Sequence, residues 1–237
     1  MTSSPQNTFF RNAAGLFDAV YHEFKDEFGK GEILLGGSLY YHFLNMVLYR
    51  VPGDLDLIVN HGNIDLQKKV SFFFDKVGDG IKSIEIMQAK YKQIGITRVI
   101  HHNTGVRIEL SLGILDDIFL ENVNGYGLYH FKPQKLIRNL FLYFQAYFKA
   151  YQIFRKQGKY EMVQLYLFKM RKMYANILMI AEYFRIDIDH ILENYRFPLD
   201  RIYRIFDQEN IYYLNLITLK ELEMWQHGAN WNEERTD

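Results

Sequence analysis

The stretch Ile33-Leu34-Leu35-Gly36-Gly37-Ser38, answered further on by Gly53-Asp54-Leu55-Asp56-Leu57-Ile58-Val59, decides how this chain is read. Its first part is a short apolar run stopped by two glycines and a serine. A run that short, bounded by turn formers, reads as a buried strand rather than a helix. Residues 38–49 are apolar or aromatic at nearly every position, which predicts a helix buried almost all round with Ser38 at its N-cap. Val51-Pro52-Gly53 is a turn, because Pro52 cannot continue a helix. The strand that follows carries Asp54, Asp56 and Ile58 on one face and Leu55, Leu57 and Val59 on the other. Both carboxylates therefore point the same way, from a strand whose opposite face is apolar.

Outward from this core, residues 8–29 place Phe9, Phe10, Ala13, Leu16, Phe17, Val20, Tyr21, Phe24 and Phe28 at spacings of three and four, the helical period. Residues 63–77 repeat that period and are closed by Gly78-Asp79-Gly80. Three strand-like runs come next, at 83–87, 93–101 and 106–112, the last two joined by the hairpin-type turn Asn103-Thr104-Gly105. In the last run Val106, Ile108, Leu110 and Leu112 share one face and Arg107, Glu109 and Ser111 the other. A glycine-containing segment at 122–127 leads to Lys132-Pro133-Gln134, after which the pattern is helical: 134–157, 159–184, 186–195, 198–207 and 218–227. The fold class is α+β, with an α/β part over 1–130, a helical domain over 131–237, and a polar tail at 228–237.

The 237 residues are 49% hydrophobic, enough to bury one or two cores. Lys+Arg 28 against Asp+Glu 28 leaves no net charge, so any electrostatic partner must meet a local patch. The absence of cysteine excludes disulfides, thiolate metal sites and a cysteine nucleophile. Residues 1–5 lack the basic flank and apolar core of a signal peptide, and no apolar run reaches the roughly 18–20 residues of a spanning helix. A cytoplasmic location with no membrane partner is the expectation.

Two aspartates one residue apart, with Glu109 on a neighbouring strand, make an acidic cluster in which like charges repel. A divalent cation removes that cost, and hard oxygen donors suit Mg²⁺, which takes one or two carboxylates plus substrate phosphate oxygens. Glycines at a helix start let backbone approach a phosphate closely. Together these parts describe a nucleoside-triphosphate site. Gly36-Gly37-Ser38, Arg50 shortly before the acids, Asp54-Leu55-Asp56-Leu57 and Arg107-Ile108-Glu109-Leu110 resemble the nucleotidyltransferase superfold, the DNA polymerase beta-like fold, and most of all its AbiEii toxin group. The resemblance covers roughly residues 30–140. It implies a small mixed sheet flanked by helices, catalytic and metal-holding roles for Asp54, Asp56 and Glu109 with Mg²⁺, and nucleotide contacts from Gly36, Gly37, Ser38, Arg50 and Lys135. It further implies transfer of a nucleoside monophosphate from an NTP to a hydroxyl of RNA or tRNA, a protein or a small molecule, in a toxin- or defence-type role. The third acid is glutamate where the family usually has aspartate.

Each signal has a plainer reading. Gly36-Gly37-Ser38 alone is a strand-to-helix turn; Arg50 alone compensates a helix end. Arg107 or Arg98 pairs Glu109 as a strand-surface charge equally well. His101-His102 reads as turn residues. Segment 149–172 holds Lys149, Arg155, Lys156, Lys159, Lys169, Arg171 and Lys172 against Glu161, interleaved with Tyr151, Phe154, Tyr160, Tyr166 and Phe168. This mixture suits an RNA backbone with stacked bases, and equally a helix with an aromatic core face and a solvated lysine face. The rival to an enzyme is a scaffold or binding module of the same fold.

Overall fold

The computed structural model describes the backbone of residues 5–44, 46, 54–77, 84–88, 96–101, 106–123 and 125–211. These residues divide into two compact units, one ending at Phe131 and the other beginning at Lys132. The first is mixed α and β; the second is helical among its described residues.

The first unit opens with α1 (Pro5–Glu23) and α2 (Lys25–Gly29). Periodicity alone predicts a single helix here, and the break falls at Phe24, whose φ of −115° and ψ of 31° leave the helical basin. Phe24 is buried with its ring against Phe73, 5.5 Å between centroids, and that docking sets the turn between the two helices. Gly31, at φ +71°, then redirects the chain into β1 (Ile33–Gly36). There follow α3 (Gly37–Phe43), β2 (Asp54–Asn60), α4 (Ile64–Val77), β3 (Ile84–Gln88), β4 (Ile96–His101), β5 (Arg107–Gly113), β6 (Ile118–Val123) and β7 (Tyr126–Phe131).

Strands β1 to β5 form one sheet in the order β1-β2-β5-β4-β3. The β2–β5 pair is parallel and the other pairs are antiparallel, so the sheet is mixed. The parallel strands β2 and β5 alternate as their sequences require: Leu55, Leu57, Val59, Ile108 and Leu110 are buried, while the residues between them are half-exposed. Each such aliphatic side chain contributes on the order of 1.5–3 kcal/mol by leaving water. An aromatic cluster closes the core, with Phe17 of α1 against Phe28 (5.8 Å), Phe43 (5.4 Å) and Tyr126 (5.2 Å).

Two expectations need correction. Helix α3 begins at Gly37 with Gly36 as its N-cap, so Ser38 lies inside the first turn and its hydroxyl is engaged elsewhere. The glycine-containing segment holds the end of β6 and the start of β7, an antiparallel hairpin that periodicity did not reveal, with Asn122 paired to Gly127 and Val123 to Tyr126. The turn at 103–105 and the helix expected at 218–227 lie outside the described residues.

The second unit contains α5 (Pro133–Lys156), α6 (Tyr160–Phe184), α7 (Ile188–Asn194) and α8 (Leu199–Glu209). Pro133 occupies the first turn of α5, where its missing amide is not needed. Ile137, Phe141, Phe144, Phe148 and Tyr151 are buried at spacings of four and three, one continuous stripe of the helix. Helix α6 ends at Arg185 in the left-handed conformation, with Ile186 N–H donating to the Ala181 carbonyl at 2.8 Å. Asp187 caps α7 by accepting from the amides of Asp189 (2.9 Å) and His190 (3.4 Å). Phe206 of α8 meets Phe144 edge to face at 5.2 Å. Among the described residues no helix is long and apolar enough to cross a membrane.

Candidate active site

Asp54 opens β2, and the pleat puts Asp54 and Asp56 on its half-exposed face. Strand β5 runs parallel in a register that sets Asp54 beside Arg107 and Asp56 beside Glu109. Paired residues of adjacent strands share a face, so the three expected acids stand on the same side of the sheet. On the other flank β1 is antiparallel and Gly36 is the partner of Asp56. The acid is thus bracketed by a glycine on one strand and a glutamate on the other.

The turn from β1 into α3 is shaped around these carboxylates. Gly37 has φ +65°, a conformation natural to glycine. A Cβ there would fall on the Asp56 carboxylate, 2.7 Å from its Cγ and 3.1 Å from its Cβ. Gly36 is extended, at φ −116°, and a Cβ there would meet Asp56 Cβ at an ordinary 3.7 Å. The Ser38 hydroxyl donates to Asp54 Oδ1 at 3.1 Å. The first turn of α3 therefore addresses both aspartates, one through backbone and one through a side chain.

Two further residues of α3 lie one turn beyond these, and one of them feels the charge of Asp56. Tyr41, one turn beyond Gly37, is buried, and its phenol pKa is pushed far up by that burial and by the negative charge of Asp56. His42, one turn beyond Ser38, is half-buried, and burial lowers its pKa. Neither was legible in advance, because the signal is the i, i+4 spacing from Gly37 and Ser38, which matters only once α3 is known to lie over the acids.

Behind this face, Tyr40 holds α3 to the β6–β7 hairpin. Its hydroxyl makes a short contact with His130 Nε2, which also lies 3.0 Å from Glu121 Oε2. His130 Nδ1 faces the Phe131 carbonyl at 3.0 Å, an arrangement that puts the proton of a neutral imidazole on Nδ1 and lets Tyr40 donate to Nε2. The ring is 2% exposed. Burial lowers the His130 pKa, with the hydrogen bond and charge of Glu121 and the Phe131 carbonyl opposing.

Glu109 is engaged by its own strand: Arg107 Nη2 lies 2.5 Å from Glu109 Oε1, both side chains partly exposed. Among the described residues no group of three or more His, Asp or Glu side chains is arranged to hold a metal ion. The donor set itself is of the hard-oxygen type that Mg²⁺ takes, with Asp54 and Asp56 adjacent on one face. Arg50 lies outside the described residues, as does His102; His101 is described only as the β4 backbone partner of Arg107. Lys135 sits in the first turn of α5, in the second unit, with its pKa lowered by burial and by the charge of Arg138. Compared with family models, curated proteins and solved structures, the chain matches none.

Proposed function

We propose that the chain is a Mg²⁺-dependent nucleotidyltransferase that moves a nucleoside monophosphate from an NTP to a hydroxyl acceptor. The observation that carries this reading is the convergence of Gly37 on Asp56, Ser38 on Asp54, and Glu109 beside Asp56 in register. A structural turn does not need glycine backbone against a carboxylate and a serine on its neighbour. Asp54 and Asp56 would hold the Mg²⁺, which when bound offsets the charge of a triphosphate and of the displacement at its α-phosphorus. The Gly36-Gly37 backbone would let the phosphates approach, and Ser38 orients Asp54. Glu109, released from Arg107, would take the acceptor proton as the hydroxyl oxygen bonds to the α-phosphorus and pyrophosphate leaves. Arg50 and Lys135 are proposed phosphate contacts on the resemblance alone, and the toxin- or defence-type role rests on that resemblance too.

The ion pair between Arg107 and Glu109 favours a second reading, a binding module of this fold with slow or no turnover. The test is incubation of the purified protein with Mg²⁺, each α-labelled NTP and RNA, protein or small-molecule hydroxyl acceptors. Label transfer that disappears in Asp56→Asn supports the enzyme. NTP binding without transfer supports the module, and no NTP binding ends the enzyme reading.

A further inference from the structure

Helices α5 and α6 are joined through Gln157, Gly158 and Lys159, a link short enough to fold them back on each other as neighbours. Along one edge of this pair, rings from both helices form a continuous ladder. Phe154 stacks on Tyr166 at 5.5 Å and 16°. Tyr166 meets Tyr147 at 6.0 Å, and Tyr147 stacks on Tyr143 at 6.4 Å and 27°. All four rings are half-exposed, unlike Phe141, Phe144 and Phe148, which take the buried stripe of the same α5. The α5 rings Tyr143, Tyr147 and Phe154 are thus additional to the stripe that packs the core.

Cations are threaded through the ladder. Lys169 Nζ lies 5.5 Å from the Tyr147 centroid and 5.2 Å from that of Tyr166, and Lys159 Nζ lies 5.7 Å from Phe154. Lys149 and Lys156 are exposed on α5, and Glu161 is the sole acid in segment 149–172. Arg155 is committed elsewhere, to Tyr151 at 2.9 Å and Glu209 at 3.6 Å, and does not contribute. A ladder of flat π-faces interleaved with ammonium groups is the chemistry that holds a single strand: bases stack on rings whatever their identity, and lysines take the phosphates. An acidic peptide would use the lysines and leave the rings without a role.

We propose that this edge of the α5–α6 pair binds single-stranded RNA, with Tyr147, Tyr166 and Lys169 at its centre. Three of the four rings carry phenolic hydroxyls able to hydrogen-bond the ribose 2′-hydroxyl. That this RNA is also the acceptor rests on the nucleotidyl-transfer reading; the binding does not.

The test is fluorescence anisotropy of a labelled mixed-sequence ten-nucleotide RNA with the full chain, without NTP or Mg²⁺, so that failure here is distinguishable from failure of the transfer reading. Tyr147→Leu and Tyr166→Leu should each weaken binding by at least about fivefold, while Tyr147→Phe, which keeps the stacking face, stays within about twofold. Lys169→Gln should lower the slope of log affinity against log salt by about 0.7. Circular dichroism melting confirms that each variant is folded. No binding at low salt would overturn the proposal. So would leucine variants that are folded and bind unchanged, or an acidic peptide that competes as well as unlabelled RNA.

Discussion

Replacing Gly37 by alanine tests the coupling between the turn and Asp56. Two costs combine. At φ +65° an L-residue loses roughly 1–2 kcal/mol relative to its ordinary basins. In addition the new methyl would occupy the space of the Asp56 carboxylate, 2.7 Å from Cγ, and relief requires the acid to rotate or α3 to lift. A total destabilisation of about 2–4 kcal/mol follows, in the range of strained backbone plus overpacking. Gly36→Ala is the matched control, because its φ of −116° suits any residue and its Cβ would meet Asp56 at an ordinary 3.7 Å; its cost should stay below about 1 kcal/mol. Urea denaturation of the three proteins reads both numbers, and NTP transfer reads whether displacing Asp56 removes activity. Equal midpoints for the two variants would refute the claim that Gly37 is required by its contact with Asp56.

Phe144→Ala should cost about 3–5 kcal/mol in urea denaturation, because the ring is fully buried against Phe206. The His130 site makes stability pH-dependent. Burial holds its folded pKa below the ordinary histidine value that the unfolded chain keeps, so between the two the unfolded chain binds more protons. That stability is complete above the unfolded pKa and is lost as pH falls through the folded one. The wild-type urea midpoint should therefore drop more steeply on acidification than that of His130→Gln; parallel curves would contradict this. Glu109→Gln should reduce transfer by about 10²-fold or more if Glu109 takes the acceptor proton, while changing stability by less than about 1 kcal/mol as a partly exposed ion pair. Unchanged transfer would leave Glu109 only as the partner of Arg107.

Where a residue's role depends on its own strand, it was legible in advance. The alternation of Asp54-Leu55-Asp56-Leu57 with Arg107-Ile108-Glu109-Leu110 survives as half-exposed and buried faces of β2 and β5, and the plainer expectation that Arg107 pairs Glu109 is met as well. Where the role depends on what packs across, it was not. The β6–β7 hairpin escaped because Ile118-Phe119-Leu120 is apolar without alternation and Gly127 interrupts β7. Gly125, at φ +84°, lies between the two strands inside the glycine-containing segment. Tyr40 and Tyr41 read only as two more aromatic residues of a buried helix, since nothing local says that one faces Asp56 and the other His130. The basic-aromatic segment was recognised, yet its sorting into a buried stripe and a half-exposed ladder required both helices.

Asp54 and Asp56, backed by the Gly36-Gly37-Ser38 turn, are proposed as the metal end of a triphosphate site. Isothermal titration of the protein with a non-hydrolysable NTP, with and without Mg²⁺, tests it most directly. Binding should require Mg²⁺ and weaken at least about tenfold in both Asp54→Asn and Asp56→Asn, since each removes a charged ligand oxygen. Binding that is indifferent to Mg²⁺ and to both substitutions, or no binding at all, would contradict it.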